Sequence, residues 1–87
     1  MTATIVRIVN KSGLHARSAA TFVHLANKFQ SQIKVKKDEI EVNGKSILGM
    51  MMLGAVYGSK IIIKVSGPDE KRVTKELSDL VKNKFGE

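Results

Sequence analysis

The sequence predicts an α+β, two-layer sandwich in the order β-α-β-β-α-β-α. Helices should cover one face of a mostly antiparallel sheet, and the other face should meet water. Three observations predict this. Short β-branched segments with alternating apolar positions are interleaved with segments of three- and four-residue apolar spacing. Turn residues separate them, at Asn10-Lys11-Ser12-Gly13, Asn43-Gly44 and Gly67-Pro68. A hydrophobic content of 43% over 87 residues supplies one core and no more.

Thr2–Val9 is rich in β-branched residues and reads as the first strand. From Ala16 to Phe29, the residues Ala19, Phe22, Val23, Ala26 and Phe29 recur at helical spacing. Gln32–Lys37 sets Ile33 and Val35 on one strand face, and Ile40-Glu41-Val42 alternates again after the turn residues Lys37-Asp38-Glu39. These two segments predict a hairpin. Ser46–Leu53 is a short apolar helix, followed by a loop between Gly54 and Gly58. Ile61-Ile62-Ile63-Lys64-Val65 is a strongly apolar segment that reads as a strand and suits a central one. Asp69–Lys84 is a helix with acids in its first turn, Lys82 and Lys84 in its last, and an apolar stripe of Val73, Leu77, Leu80 and Val81. Arg7, Lys34 and Lys36 occupy alternating strand positions and mark the solvent face of the sheet.

One domain is expected to span residues 1–87. The chain has no cysteine, which removes disulfides, thiolate metal sites and cysteine nucleophiles. No metal or cofactor is expected. The opening residues lack a signal-peptide core, and no apolar run is long enough to span a bilayer, so a cytoplasmic protein without membrane insertion is expected. The net charge of +7 lies in the first third: residues 1–37 hold seven bases and no acid, whereas residues 38–87 hold eight of each. Such a field attracts phosphate, nucleic acid or an acidic protein face; the plainer alternative is a generally basic, soluble surface.

The first candidate site is Ser12-Gly13-Leu14-His15-Ala16-Arg17, where a turn meets a helix. The first N–H groups of a helix have no internal partner, and the dipole is positive there. A histidine at that point can act as a nucleophile toward a phosphoryl group, with the product phosphate held by free amides and by Arg17. The dipole also favours a neutral ring with a nitrogen free to attack. Ser12, Ala16 and Ser18 are the residues placed to support that phosphate. No carboxylate is near in sequence to orient a base. A histidine here can equally be a helix cap or a solvent-exposed residue. His24, about two and a half turns further along the same helix, reads as surface or a rim contact.

The second candidate site is the helix that begins after Ser46. Ile47, Leu48, Gly49, Met50, Met51, Met52 and Leu53 are apolar all round, yet a small domain cannot enclose a peripheral helix on every side. Met50 and Leu53 should face the sheet, leaving Ile47, Leu48 and Met51 as a partner-docking stripe unless a second copy or a loop covers it. Ser46 reads as the N-cap, a position where a phosphate would also meet free amides.

Taken together, these residues resemble HPr, the histidine-containing phosphocarrier family of the phosphoenolpyruvate-dependent sugar phosphotransferase system. Gly13-Leu14-His15-Ala16-Arg17 is similar to the family's active-site motif. Lys45-Ser46-Ile47-Leu48-Gly49, followed by Met51, Leu53 and Gly54, resembles its regulatory-serine motif. The resemblance covers essentially the whole chain. It implies an open-faced sandwich of a four-stranded antiparallel sheet with three helices on one face. It implies that His15 accepts a phosphoryl group through Nδ1 from phosphorylated enzyme I and passes it to sugar-specific A components, with Arg17 stabilising the phosphate. Ile47, Leu48 and Met51 would dock both partners, and the protein would act as a monomer. Ser46 matches the serine that HPr kinase/phosphorylase modifies in many Gram-positive bacteria, where the product is corepressor of a catabolite-control repressor.

Ser18 departs from the pattern, since the family usually has proline after the arginine. Proline suits a first helical turn, so serine predicts a less rigid site. The substitution also admits a regulatory or nitrogen-system paralogue, although His15 speaks against paralogues that lack the phosphorylatable histidine. A small nucleic-acid-binding domain is the competing class. The basic first third permits it, but stacking platforms need aromatics on a sheet, and the chain has only Tyr57 and three Phe.

Overall fold

The computed structural model describes residues 1–87. Its elements are β1 (Thr2–Arg7), α1 (Ala16–Ala26), β2 (Gln32–Lys37), β3 (Ile40–Asn43), α2 (Ile47–Met52), β4 (Lys60–Ser66) and α3 (Glu70–Lys82), with a 3-10 turn over Lys84–Gly86. The four strands form one antiparallel sheet in the order β1-β4-β2-β3. The Ile61–Val65 run therefore lies in a central strand: Ile63 pairs with Thr4 on one side and Val35 on the other. The fold is the predicted sandwich of four antiparallel strands with three helices.

Period-two alternation sorts the strands into two faces. Val6, Ile33, Val35, Ile61, Ile63 and Val65 are buried beneath the helices. Ile5, Arg7, Lys34 and Lys60 are exposed and Lys36 and Lys64 half-buried. Ala19, Phe22, Val23 and Ala26 of α1, Met50 of α2 and Val73, Leu77 and Val81 of α3 close the core from the helical side.

Element ends differ from expectation by one to three residues, for identifiable reasons. Helix α1 stops at Ala26 because the next amides bond three residues back, Lys28 to Leu25 and Phe29 to Ala26, which tightens the last turn into 3-10 geometry. Helix α3 starts after Asp69, whose carboxylate accepts from the Ser31 hydroxyl and from the amides of Gln30 and Ser31 rather than from its own helix. The Ser31 hydroxyl, with those amides, holds the Asp69 carboxyl below its ordinary range. Helix α3 ends at Lys82, and Lys84 and Phe85 then take left-handed φ of 59° and 55°. That reversal returns Phe85 to the core at 4% exposure.

Candidate functional site

His15 is the N-cap of α1, with extended backbone at φ −105° and ψ −174°. The turn before it is fixed by close approach. Gly13 has φ +70°, and a Cβ there would stand 2.8 Å from the Ala55 carbonyl oxygen, which accepts from Leu14 N–H at 2.8 Å. Only glycine fits both the conformation and the space. Asn10, 2% exposed, adds a second brace by donating its side-chain amide to Gly13 O at 2.7 Å.

The ring of His15 is half-buried and held at both nitrogens. Nδ1 accepts from the Arg17 backbone N–H at 3.2 Å. Nε2 lies 2.8 Å from a carboxylate oxygen of Glu87. A carboxylate therefore does orient this histidine, from 72 residues away, where the sequence showed none nearby. The Ala16 N–H, first of the helix, lies outside the intrahelical ladder. Arg17 is exposed, and no salt bridge engages its guanidinium.

Ser18 corrects two expectations. Its side chain is 1% exposed; the hydroxyl accepts from His15 N–H at 2.9 Å and lies 3.1 Å from Gly13 O and 3.2 Å from His15 O, to which it donates. This is a capping-box pair that stiffens the segment, so a serine in place of proline leaves the turn braced. The same engagement takes the hydroxyl away from any bound phosphate. Ser12 is exposed on the turn.

Helix α2 opens at Ser46, whose Oγ accepts from Gly49 N–H at 3.0 Å. Met50 and Leu53 are buried. Leu48 is 73% exposed, Ile47 44% and Met51 41%. The apolar surface extends past the predicted stripe to Met52, Val56 and Tyr57, all exposed. The segment carrying Val56 and Tyr57 packs against Gly13, so this surface continues to the histidine turn. A shallow groove between α1 and α2 is lined by Arg17, Thr21, His24, Asn27 and Ile47, with His24 exposed on its rim.

Residues 3–83 match the family described as the PTS HPr component phosphorylation site. The chain belongs to the HPr family. It is 44% identical over 82 residues to the phosphocarrier protein HPr of Neisseria meningitidis, covering 94% of this chain and 92% of that one. The crystal structure of HPr-C-His from Thermoanaerobacter tengcongensis superposes with a TM-score of 0.95 at 49% identity, covering 100% of this chain and 98% of the other. The structure described as an HPr dimer from the same organism matches over the full length of both chains with a TM-score of 0.79 at 49% identity. HPr proteins are phosphocarriers of the phosphotransferase system, and that is the function of this chain. No helix is long and apolar enough to cross a membrane.

Proposed function

We propose that His15 is the phosphoryl acceptor and donor of this carrier. The observation that carries the reading is the position of Nδ1: it faces the Arg17 amide at the start of α1, 3.2 Å away. A backbone N–H can only donate, so Nδ1 holds a lone pair. That lone pair attacks the phosphorus of a phosphohistidine on enzyme I. The Nδ1–P bond forms as the donor's N–P bond breaks, and the electron pair leaves with the donor nitrogen. The phosphate then replaces Nδ1 as partner of the Arg17 amide, can also accept from the Ala16 amide, and gains counter-charge from the unpaired Arg17 guanidinium. Transfer to a sugar-specific A component reverses the step.

Ile47, Leu48 and Met51 form the docking face for both partners, supported by their exposure on a helix whose other side is buried. Ser46 is a regulatory phosphorylation site. A phosphate there would meet the free amides at the start of α2 and place a charge of about −2 beside Ile47 and Leu48. A partner that accepts the basic first third of the chain is itself acidic and would be repelled. The 87 residues act as one cytoplasmic, monomeric unit. A pulse–chase tests the reading: label from phosphoenolpyruvate should enter the chain only with enzyme I present and leave it when a sugar-specific A domain is added. Label that enters but cannot be chased contradicts the carrier role of the site.

A further inference from the structure

We propose that Glu87 is a positioning residue for His15, fixing the ring in the tautomer that transfer requires and neutralising the ring while it carries phosphate. The inference rests on His15 being the phosphoryl acceptor and extends that reading to a residue at the far end of the sequence.

Two independent contacts define the tautomer. The Arg17 N–H donates to Nδ1 at 3.2 Å, so Nδ1 has no proton. The Glu87 carboxylate accepts at 2.8 Å, so Nε2 carries the proton. Both contacts select the form with its lone pair on Nδ1, the nitrogen at the helix start. A carboxylate on the second ring nitrogen is a general means of fixing which nitrogen of a histidine is protonated.

Glu87 is carried to the ring by a built reversal of the chain. Lys84 and Phe85 hold left-handed φ of 59° and 55°, a conformation that non-glycine residues seldom adopt. Phe85 is anchored in the core, and Gly86 N–H and Glu87 N–H bond back to Asn83 O and Lys84 O, each at 3.0 Å. Asn10, buried and already bonded to Gly13 O, also reaches Glu87 Oε1 at 3.5 Å. The same asparagine thus braces the histidine turn and borders the carboxylate. Residues 1–37 contain no acid, so Glu87 brings a negative charge to an otherwise basic neighbourhood.

The proton balance explains what the contact does. As Nδ1 attacks phosphorus, the Nδ1–P bond forms and the phosphohistidine donor's N–P bond breaks. Nε2 keeps its proton, so the ring acquires a formal positive charge. Glu87, on the opposite nitrogen from the incoming phosphate, neutralises that charge. In onward transfer the Nδ1–P electron pair returns to Nδ1, and the ring is again neutral and protonated on Nε2. No proton enters or leaves the imidazole in either direction.

The test compares full-length wild-type protein with Glu87→Ala, both labelled with nitrogen-15, by ring-nitrogen NMR and by the rate of phosphorylation from phosphoenolpyruvate and enzyme I. In the wild type, the neutral ring should show protonation at Nε2 alone. In Glu87→Ala, a visible share of Nδ1–H should appear, with core amide shifts unchanged. The maximal phosphorylation rate should fall about 3- to 10-fold while KM for the chain stays the same, since Glu87 is not one of the apolar residues of the docking stripe. Unchanged ring-nitrogen shifts together with an unchanged rate overturn the proposal. A rise in KM with unchanged maximal rate also overturns it, because Glu87 would then act in docking. Failure of the wild type itself to take up phosphate would overturn the acceptor reading of His15, whereas the ring-nitrogen comparison judges Glu87 separately.

Discussion

Leu48 and Met50 are two residues apart on α2, yet truncating them should damage different properties. Leu48 is 73% exposed and Met50 is 0% exposed. Burying a whole leucine side chain contributes about 1.5–3 kcal/mol, so covering the exposed three-quarters of Leu48 in a complex should contribute about 1–2 kcal/mol. Leu48→Ala should therefore weaken binding to enzyme I by about 5- to 30-fold. It should leave the melting temperature nearly unchanged, because little of that surface is buried in the free protein. Met50→Ala removes atoms already enclosed by the core and should cost about 2–5 kcal/mol of folding stability. For a domain of this size each kcal/mol moves the melting midpoint by about 4–8 °C, so a fall of about 8 °C or more is expected. The affinity of the folded fraction should be preserved. Calorimetric titration with enzyme I and thermal unfolding followed by circular dichroism measure the two properties separately. The reasoning fails if Leu48→Ala lowers the melting point at unchanged affinity, or if Met50→Ala weakens binding while melting as the wild type does.

Two further outcomes are expected. Ser46→Asp places a carboxylate at the start of α2, where the dipole tolerates it, and should slow phosphorylation by enzyme I several-fold at low salt with an unchanged circular dichroism spectrum; a wild-type rate at low and moderate salt would refute electrostatic obstruction. Acid should destabilise the fold through Asp69 and Glu70: Ser31 and nearby amides hold Asp69 below its ordinary 3.8, and Thr2 with the N-terminal ammonium holds Glu70 below 4.5. Groups depressed in the folded state stabilise it above their unfolded pKa, and that contribution is lost as pH falls through the folded value. Melting points should thus be insensitive to these groups near neutrality and fall below about pH 4.5. Asp69→Asn should melt lower than wild type at pH 7 and lose less on acidification; parallel acid limbs would refute the assignment.

What the sequence disclosed depended on the range of the interaction. The β-branched segment Ile61-Ile62-Ile63-Lys64-Val65 identified a strand, and its high apolar content pointed to the centre of the sheet. The division of α2 into a buried Met50 and Leu53 and an exposed Ile47, Leu48 and Met51 followed from helical spacing and from the small volume of the domain. The insertion of β4 between β1 and β2 left no local signal, since either strand could pair with it. Ser18 was legible only as a missing proline; the use of its hydroxyl depends on the approach of His15 N–H and Gly13 O, which emerges when the turn closes. Glu87 was the least legible. Its contact with His15 spans 72 positions and depends on left-handed backbone at Lys84 and Phe85, residues whose types do not announce that conformation. The presence of Phe85 in the sequence is the one hint, because an aromatic near a chain end needs a place in the core.

The central claim, that His15 at the start of α1 carries the phosphoryl group, is tested most directly by intact-mass measurement after incubation with phosphoenolpyruvate and enzyme I. Wild type, His15→Ala and His24→Ala would be compared before and after brief acid treatment. The account predicts one phosphoryl group on wild type and on His24→Ala, lost in acid as phosphoramidates are, and none on His15→Ala. Phosphate on His15→Ala, or its loss from His24→Ala alone, would contradict it.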